Sequence, residues 1–285
     1  MRVAINHETV FRYPSPANYA IQYLRLTPAS GPHQRVLSWT VSAPGNLRPW
    51  TDGFGNLSHV LVVDEPHSEI RVTAIGEVEI ADGGQPLLPA FEDLPPDIFL
   101  RSTRLTTADE RIRAFAEGFR PGIAANARRG LDGLLAGIQE SVLYRSGIAR
   151  VPPSARQTLD ARSGQHQDHA HLFITCCRSL GLPARYVSGY LCAQSADDRR
   201  RPVSADRMSS HAWAETWVEG AGWLSYDSAS GATNAQAHIR VAVGLDALDA
   251  APARGLRNGG EDPQMEVTVD DAVRLRQAQR DQQQQ

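Results

Sequence analysis

Alternating apolar and polar positions dominate the first 82 residues of the chain. The β-branched or alternating runs are RVAINHETVFRY, RVLSWTVSAP, SHVLVVDEP and EIRVTAIGEVEI. Proline, glycine and asparagine residues separate these runs, as in PSPAN and TDGFGN, and such residues favour turns. Because no helical period interrupts the runs, the pattern predicts an N-terminal antiparallel β-domain, a small sandwich or barrel, over residues 1–95.

Helical periodicity begins after the Pro-rich, acidic stretch DGGQPLLPAFEDLPPD, which we interpret as the domain boundary. Thr107 and Glu110 have the spacing of a capping box, so they predict the start of a first helix. A second helix is predicted from about Ala125 to Tyr144, because leucine, isoleucine and valine recur there at helical spacing.

A third helix is predicted to begin near Gly164 and to end at the stop signal Gly181-Leu182-Pro183. The strand-like runs that follow it are ARYVSGYL, SHAWAETWV, WLSYDSA, HIRVAVGL and QMEVTV. Helices followed by an antiparallel sheet predict an α+β domain, which we assign to residues 96–270. Residues 271–285 end in the low-complexity sequence RLRQAQRDQQQQ and are predicted to be disordered.

The composition narrows the classes of function. The chain of 285 residues has a formal net charge of −3, which gives no basis for binding nucleic acid or an anionic membrane. Three cysteines, of which Cys176 and Cys177 are adjacent, make no disulfide framework. The first residues lack the apolar run of a signal peptide, and no segment is long enough to span a bilayer. We therefore expect a cytoplasmic protein.

Two residues of a predicted hairpin have the chemistry of a thiol acyl-transfer site. Such an enzyme needs a nucleophile at a helix N-terminus, a histidine that takes its proton, and a carboxylate or amide that orients the histidine. His211 opens one strand and Asp227 lies in the return strand, after a tight turn at Gly220 and Ala221. As diagonal neighbours they would lie roughly 7 Å apart at Cα, within hydrogen-bonding reach of each other's side chains. Alone, this pair is weak evidence, because surface pairs of this kind are common.

The segment RSGQHQDHAHLFITCCRSLGLPARYVSGYL resembles the signature segment of bacterial transglutaminase-like proteins. In that family a Gly-x-Cys-x-Asp-x-x-His run opens the central helix, and an arginine-tyrosine strand follows a Gly-x-Pro stop. SHAWAETWV and WLSYDSASG resemble the family's histidine and aspartate motifs, and the β-rich first third resembles its extra N-terminal domain. The resemblance covers nearly the whole chain, and it implies a papain-like, transglutaminase-type domain of the α+β class behind an N-terminal antiparallel β-domain.

For the site, the resemblance implies acyl transfer from a glutamine carboxamide or a peptide bond through a cysteine thioester. Carried over by position, His211 is the general base, Asp227 orients it, and residue 166 is the nucleophile. In this chain residue 166 is a histidine. His166, His211 and Asp227 are therefore the predicted site residues. The helix N-terminus disfavours an imidazolium, so His166 is expected to be neutral and a weaker nucleophile than a thiolate.

The other cysteines are poor substitutes for the missing thiol. Cys176 and Cys177 lie about 15 Å along the same helix from its reacting end, several times hydrogen-bonding reach. Their apolar neighbours predict buried core positions. Cys192 is harder to exclude, but no pattern places it against His211.

The leading hypothesis is a non-catalytic module without a cofactor. It would bind peptide or protein amide groups in the old cleft, or it would regulate an active transglutaminase-like relative. Leu245 and Ala247 favour this hypothesis, because relatives tend to have arginine and tyrosine at those positions.

The alternative is an amide-bond hydrolase or transamidase that uses His166, His211 and Asp227, and the retained His211–Asp227 pair favours it. In a metal-assisted version the same three residues would be ligands. Asp227 would then have to stop orienting His211, so we expect no metal at the site. Asp168 and His171 occupy ordinary family positions, which predicts structural roles, whereas His169 either reaches the site or faces solvent.

Overall fold

The computed structural model describes residues 1–81, 94–146, 151–192, 208–230 and 238–271. Its helices are α1 (Glu110–Glu117), α2 (Arg120–Ala125), α3 (Ala127–Ser141), α4 (Ala155–Ala161) and α5 (His166–Ser179). Its strands are β1 (Arg2–Leu24), β2 (Gln34–Ser42), β3 (Asn46–Thr51), β4 (Leu57–Val63), β5 (His67–Ile80), β6 (Leu143–Tyr144), β7 (Ser163–Gly164), β8 (Ala184–Cys192), β9 (Met208–Val218), β10 (Gly222–Tyr226), β11 (His238–Gly244), β12 (Ala253–Gly259) and β13 (Gln264–Asp271). Within these residues no helix is both long and apolar enough to cross a membrane. Most of the predicted boundary stretch, and the predicted disordered tail apart from Asp271, lie outside the described residues.

The N-terminal part is an antiparallel sheet built around β1, in the order β2-β5-β1-β4-β3. Pro14 and Pro16 lie inside β1, and the pairing with β5 shifts between Arg12 and Ala17, because proline has no N–H to donate. The expected turn at PSPAN is therefore wrong, since the prolines form a bulge within one long strand. Buried residues of β1, β4 and β5 share a single core cluster, so the predicted antiparallel β-structure of this part is present as one sheet.

The strands β12 and β13 also belong to this sheet. Tyr23 of β1 pairs with Arg254 of β12, and Phe11 of β1 pairs with Met265 of β13. The predicted division of the chain placed both strands with residues 96–270, so the sheet pairing differs from that division. The reason is physical: alternating burial identifies a strand in a sequence, but it does not identify the partner with which the strand forms hydrogen bonds.

The second sheet is antiparallel, has the order β10-β9-β8-β11, and packs against α5. Small residues allow a close approach, because Ala184, Ala212 and Ala214 are buried in the same core cluster as Phe173 of α5. The end of α5 agrees with the predicted stop, where Gly181 adopts a left-handed φ of +84°. The helix predicted near Ala125–Tyr144 is present as α3.

The N-terminus of α1 differs from the prediction. Asp109 caps the helix, because its carboxylate accepts a hydrogen bond of 2.9 Å from the N–H of Ile112. Thr107 instead donates its hydroxyl to the carbonyl of Thr103. Both side chains can cap a helix, and the carboxylate gains in addition from the helix dipole. The helices α2 and α4 were not predicted, although the Ser154–Gln157 capping box marks the start of α4.

One buried arginine connects the end of α5 to its surroundings. The Arg178 guanidinium donates to the carbonyls of Phe99 at 2.8 Å, Ala184 at 2.8 Å and Leu245 at 2.9 Å, and to the hydroxyl of Thr106 at 2.8 Å. Burial lowers the pKa of Arg178 to about 10, so the side chain remains protonated at neutral pH. These bonds fix α5 against β8 and against the segment that follows β11.

Replacing Arg178 by methionine should destabilise the protein by about 3 kcal/mol or more, because several buried acceptors lose a charged donor. The measurement is the free energy of unfolding from urea denaturation followed by circular dichroism. Arg128→Met is the control, since Arg128 is exposed on α3. Equal stabilities of the two variants would contradict this account of Arg178.

Candidate active site

The N-terminus of α5 is held in place by a capping box, and His166 is the first residue of the helix. The N–H of Gln165 donates to the carboxylate of Asp168 at 2.8 Å, and the Gln165 side chain accepts from the Asp168 N–H. A Cβ on Gly164 would lie 2.7 Å from the Cβ of Asp168, so a glycine is needed beside this cap. The predicted structural role of Asp168 is confirmed.

The hairpin of β9 and β10 brings His211 and Asp227 together. Ala214 pairs with Tyr226, and this register places Asp227, the residue after β10, diagonally across from His211. His211 Nε2 donates to Asp227 Oδ2 at 2.7 Å. Both side chains are buried. The predicted imidazole–carboxylate hydrogen bond is present.

His166 lies beside this pair. The ring centroids of His166 and His211 are 5.1 Å apart, with an angle of 51° between the ring planes. Nδ1 of His166 is buried and has no hydrogen-bond partner in the described part of the chain. The structure thus brings the three predicted site residues, His166, His211 and Asp227, to the N-terminal end of α5.

The electrostatics of the site favour a neutral His166 and a charged Asp227. Burial, followed by the nearby His211, lowers the pKa of His166 to about 4 in spite of the Asp227 carboxylate. Burial alone would raise the pKa of Asp227, but hydrogen bonds from His211 and His238 outweigh it and hold that pKa well below its usual range. At neutral pH His166 is therefore an uncharged imidazole.

His238, the first residue of β11, also belongs to the site, although no sequence motif predicted it. His238 Nε2 donates to Asp227 Oδ2 at 3.1 Å, so two imidazoles share one carboxylate oxygen. The strand itself was predicted from HIRVAVGL, but nothing in that run indicates that β11 pairs with β8. The only sequence feature that could have pointed to His238 was its place at the start of a predicted strand.

Gly189 of β8 makes this arrangement possible. It pairs with His211 on one side and with Arg240 of β11 on the other. A Cβ on Gly189 would lie 2.0 Å from the carbonyl oxygen of Ile239 and 2.9 Å from the ring of Trp213. Without a side chain at this position, the Trp213 ring can pack 4.7 Å from the ring of His238.

Three of these side chains also form a group that fits a metal ion. His211, Asp227 and His238 each offer one nitrogen or oxygen, and these atoms lie within 4.8 Å of one another. The metal-assisted alternative named His166 as a ligand. Among the described residues, the compact group contains His238 in its place.

Three further polar side chains near the site are buried, and two of them, His169 and His171, were considered in the sequence. His171 is fully buried and its Nε2 accepts the N–H of Ala247 at 3.0 Å, which confirms the predicted structural role. His169 is also buried, with its ring 6.1 Å from that of Tyr144, so it does not face solvent. Glu215 forms a buried ion pair with Arg185 at 2.7 Å.

Two family profiles match the chain. Residues 3–79 match the bacterial transglutaminase-like N-terminal region, and residues 114–228 match the transglutaminase-like superfamily. The second match includes His166, His211 and Asp227. By these two matches the chain resembles bacterial transglutaminase-like proteins in both its N-terminal sheet and its helical region.

Relatives of similar length exist in mycobacteria. An uncharacterized protein from Mycobacterium leprae is 29% identical over 291 aligned positions, covering 94% of this chain and 98% of the relative. An uncharacterized protein from Mycobacterium tuberculosis is 29% identical over 290 positions, covering 94% and 92%. The crystal structure of a candidate cysteine protease from Cytophaga hutchinsonii matches with a TM-score of 0.72 and 23% identity, covering 95% and 91%. The predicted papain-like, transglutaminase-type fold is confirmed.

The three cysteines of this transglutaminase-like chain are buried. Burial raises the pKa of the Cys177 thiol to about 12 and that of Cys176 well above its ordinary value. Cys192 is 6% exposed and belongs to the core cluster that contains Ile5 and Val78. None of these thiols is placed or activated as a nucleophile.

Iodoacetamide should therefore label the native protein slowly at neutral pH, and any label should appear at Cys192. Labelling is followed by intact-mass and peptide mass spectrometry, with urea-unfolded protein as the control in which the three cysteines react. Rapid labelling of native protein with an apparent pKa below neutrality would reveal a hidden nucleophile and contradict this assignment.

Proposed function

We propose that this protein has lost thiol-dependent acyl transfer and serves as a non-catalytic module that binds peptide or protein amide groups in the transglutaminase-type cleft. The observation that carries the proposal is the neutral, partly buried His166 at the family's nucleophile position. An imidazole in this position forms at best an acyl-imidazole, which water hydrolyses readily, so a stable thioester-like intermediate is not available.

The chemistry of the site supports an amide ligand. A neutral imidazole has one donor and one acceptor, which is the pattern that a carboxamide complements. His166 also lies at the N-terminus of α5, where the helix dipole favours the negative end of a carbonyl group. The ligand would contact the part of the His166 ring that remains exposed, whereas the buried Nδ1 has no hydrogen-bond partner within the described residues.

The intact His211–Asp227 pair is compatible with a protein that does not catalyse. Asp227 is 2% exposed, and its carboxylate accepts hydrogen bonds from His211, His238 and Ser230. Removing one of these donors would leave a buried charge with fewer partners, which is destabilising. The stability of the fold is therefore a sufficient reason for the His211–Asp227 pair to be retained. Its presence does not imply that the protein still catalyses a reaction.

The first test uses a blocked glutamine dipeptide as a probe of the cleft. We expect saturable binding, measured by saturation-transfer difference NMR, and no release of ammonia above the buffer rate. The variant His166→Trp should lose binding because the indole fills the space in front of α5. Wild-type ammonia release that His166→Ala abolishes would overturn the proposal.

That outcome would instead support the alternative, an amide-bond hydrolase in which His166 attacks the carbonyl, a reading favoured by the retained His211–Asp227 pair. The pH dependence of the hydrolysis rate would show whether His166 is the attacking residue. Only the neutral imidazole attacks, and the pKa of His166 is about 4, so the rate would rise as the pH passes through about 4. Between pH 6 and pH 8 the rate would then be flat, whereas an ordinary histidine with a pKa of about 6.5 would still be titrating.

A second test restores the thiol. His166→Cys should create a thiolate beside His211 at a helix N-terminus, with a pKa at least about one unit below the ordinary value of about 8.5. The pKa is measured from the rate of iodoacetamide alkylation as a function of pH. Adding His211→Ala should return the thiol to an ordinary pKa, because its imidazolium partner is gone.

His169→Cys is the matched control for this experiment. His169 lies on the same helix but is buried against Tyr144, so a thiol there should have a raised pKa and react slowly. If His166→Cys behaved like His169→Cys, the cleft would not have kept the geometry of a thiol enzyme.

A further inference from the structure

We propose that His211, Asp227 and His238 form a binding site for a divalent cation of the zinc class, with His166 beside its open coordination position. Two imidazoles and one carboxylate, with one position left for water, are a common ligand set for zinc. The inference goes beyond the proposed amide-binding function and does not depend on it. It rests on the position of His238, which the acyl-transfer triad does not use.

The three side chains are held by three separate backbone positions. His211 belongs to β9, Asp227 follows β10, and His238 begins β11, and all three are buried. Their ligand atoms are within 4.8 Å of one another. Because strands of one sheet fix these positions, with β8 between β9 and β11, the group is assembled by the fold before any ion arrives.

Only small movements of the three side chains are needed to accommodate a zinc ion. Asp227 Oδ2 is 2.7 Å from His211 Nε2 and 3.1 Å from His238 Nε2. Around a tetrahedral zinc ion with bonds of about 2.0–2.1 Å, neighbouring ligand atoms are about 3.3 Å apart. Shifts of a few tenths of an ångström in each side chain would therefore open enough space for the ion.

The carboxylate is already oriented for this role. Asp227 Oδ1 accepts the N–H groups of Ala229 at 3.1 Å and Ser230 at 3.2 Å. These bonds hold one oxygen and direct the other, Oδ2, towards the two imidazoles. Backbone donors to the second oxygen of a ligand carboxylate are the kind of outer contact that fixes a metal ligand.

Binding the ion changes the bonds of the two imidazoles in a defined way. In the metal-free protein each Nε2 donates a proton to Asp227 Oδ2. To bind a cation, His211 and His238 must present the Nε2 lone pair, so each neutral ring keeps its proton on Nδ1 instead. The cation replaces two N–H···O hydrogen bonds with two N–metal bonds and one O–metal bond, without oxidation or reduction.

Occupation of this site also excludes the thiol-enzyme role of the same residues. A His211 nitrogen and an Asp227 oxygen that bind a cation no longer form the base–orienter pair. His166 lies beside the group, with its ring centroid 5.1 Å from that of His211, so it can contact a water molecule on the ion. The exchange of a thiol for an imidazole at position 166 thus suits a site that holds a cation.

The test uses full-length protein without a histidine tag, stripped with a chelator and titrated with zinc chloride in competition with a chromophoric chelator. We expect one equivalent of zinc to bind, and one equivalent of cobalt to give the intense visible absorption of a tetrahedral site. His238→Gln should weaken zinc binding about 100-fold or more, because it removes a direct ligand. The glutamine amide can still donate to Asp227 and so preserve the fold.

His67→Gln is the matched control, since it removes a histidine of the N-terminal sheet that hydrogen-bonds only locally to the Glu65 carbonyl among the contacts described. It should leave zinc binding unchanged, and His211→Gln should repeat the loss seen with His238→Gln. Circular dichroism establishes that each variant is folded. Absence of stoichiometric zinc binding in the wild type, or equal affinity in wild type and His238→Gln, would overturn the proposal. Either result would leave the glutamine-dipeptide experiment, done in chelator, unaffected.

Discussion

The buried carboxylate of Asp227 is the interaction on which the arrangement of the site depends. It receives hydrogen bonds from His211 on β9, from His238 on β11 and from the residues that follow β10. An unpaired carboxylate at this depth would cost several kcal/mol, so the strands that carry its partners must remain in register. The same carboxylate holds His211 beside the N-terminus of α5, and it thereby fixes the position of the cleft relative to the central helix.

The histidine at position 166 changes the chemistry that this fold can carry out. A thiol at the start of α5 would gain from the helix dipole and from a neighbouring imidazolium as it ionised. An imidazole in the same place loses its charge through burial, and it adds a third nitrogen base to a site that already has two. The site therefore contains three imidazoles that can offer nitrogen lone pairs, but it has no thiolate nucleophile. The fold around it is nevertheless of the transglutaminase type.

Contacts between residues close in sequence could be predicted, whereas contacts between distant segments of the chain could not. His211 and Asp227 belong to one hairpin, so the turn between them sets their register, and α5 shows its limits through Gly181 and its opening motif. His238 could not be placed, because its neighbour Asp227 is reached only through the pairing of β11 with β8. The same limit applies to β12 and β13, whose partner β1 lies at the other end of the chain. At α1, Thr107 and Asp109 were both chemically suitable caps, and only the backbone geometry distinguishes them.

The pairing of β1 with β12 and β13 has a consequence for how the chain folds during synthesis. β1 is synthesised before the helical region, but β12 and β13, the strands that complete one of its edges, are synthesised after it. Until then that edge presents unpaired N–H and carbonyl groups, which are a template for association with another chain. The N-terminal sheet therefore depends on late synthesis for its protection, and a ribosome that stalls after β11 would release a chain with an open, aggregation-prone edge.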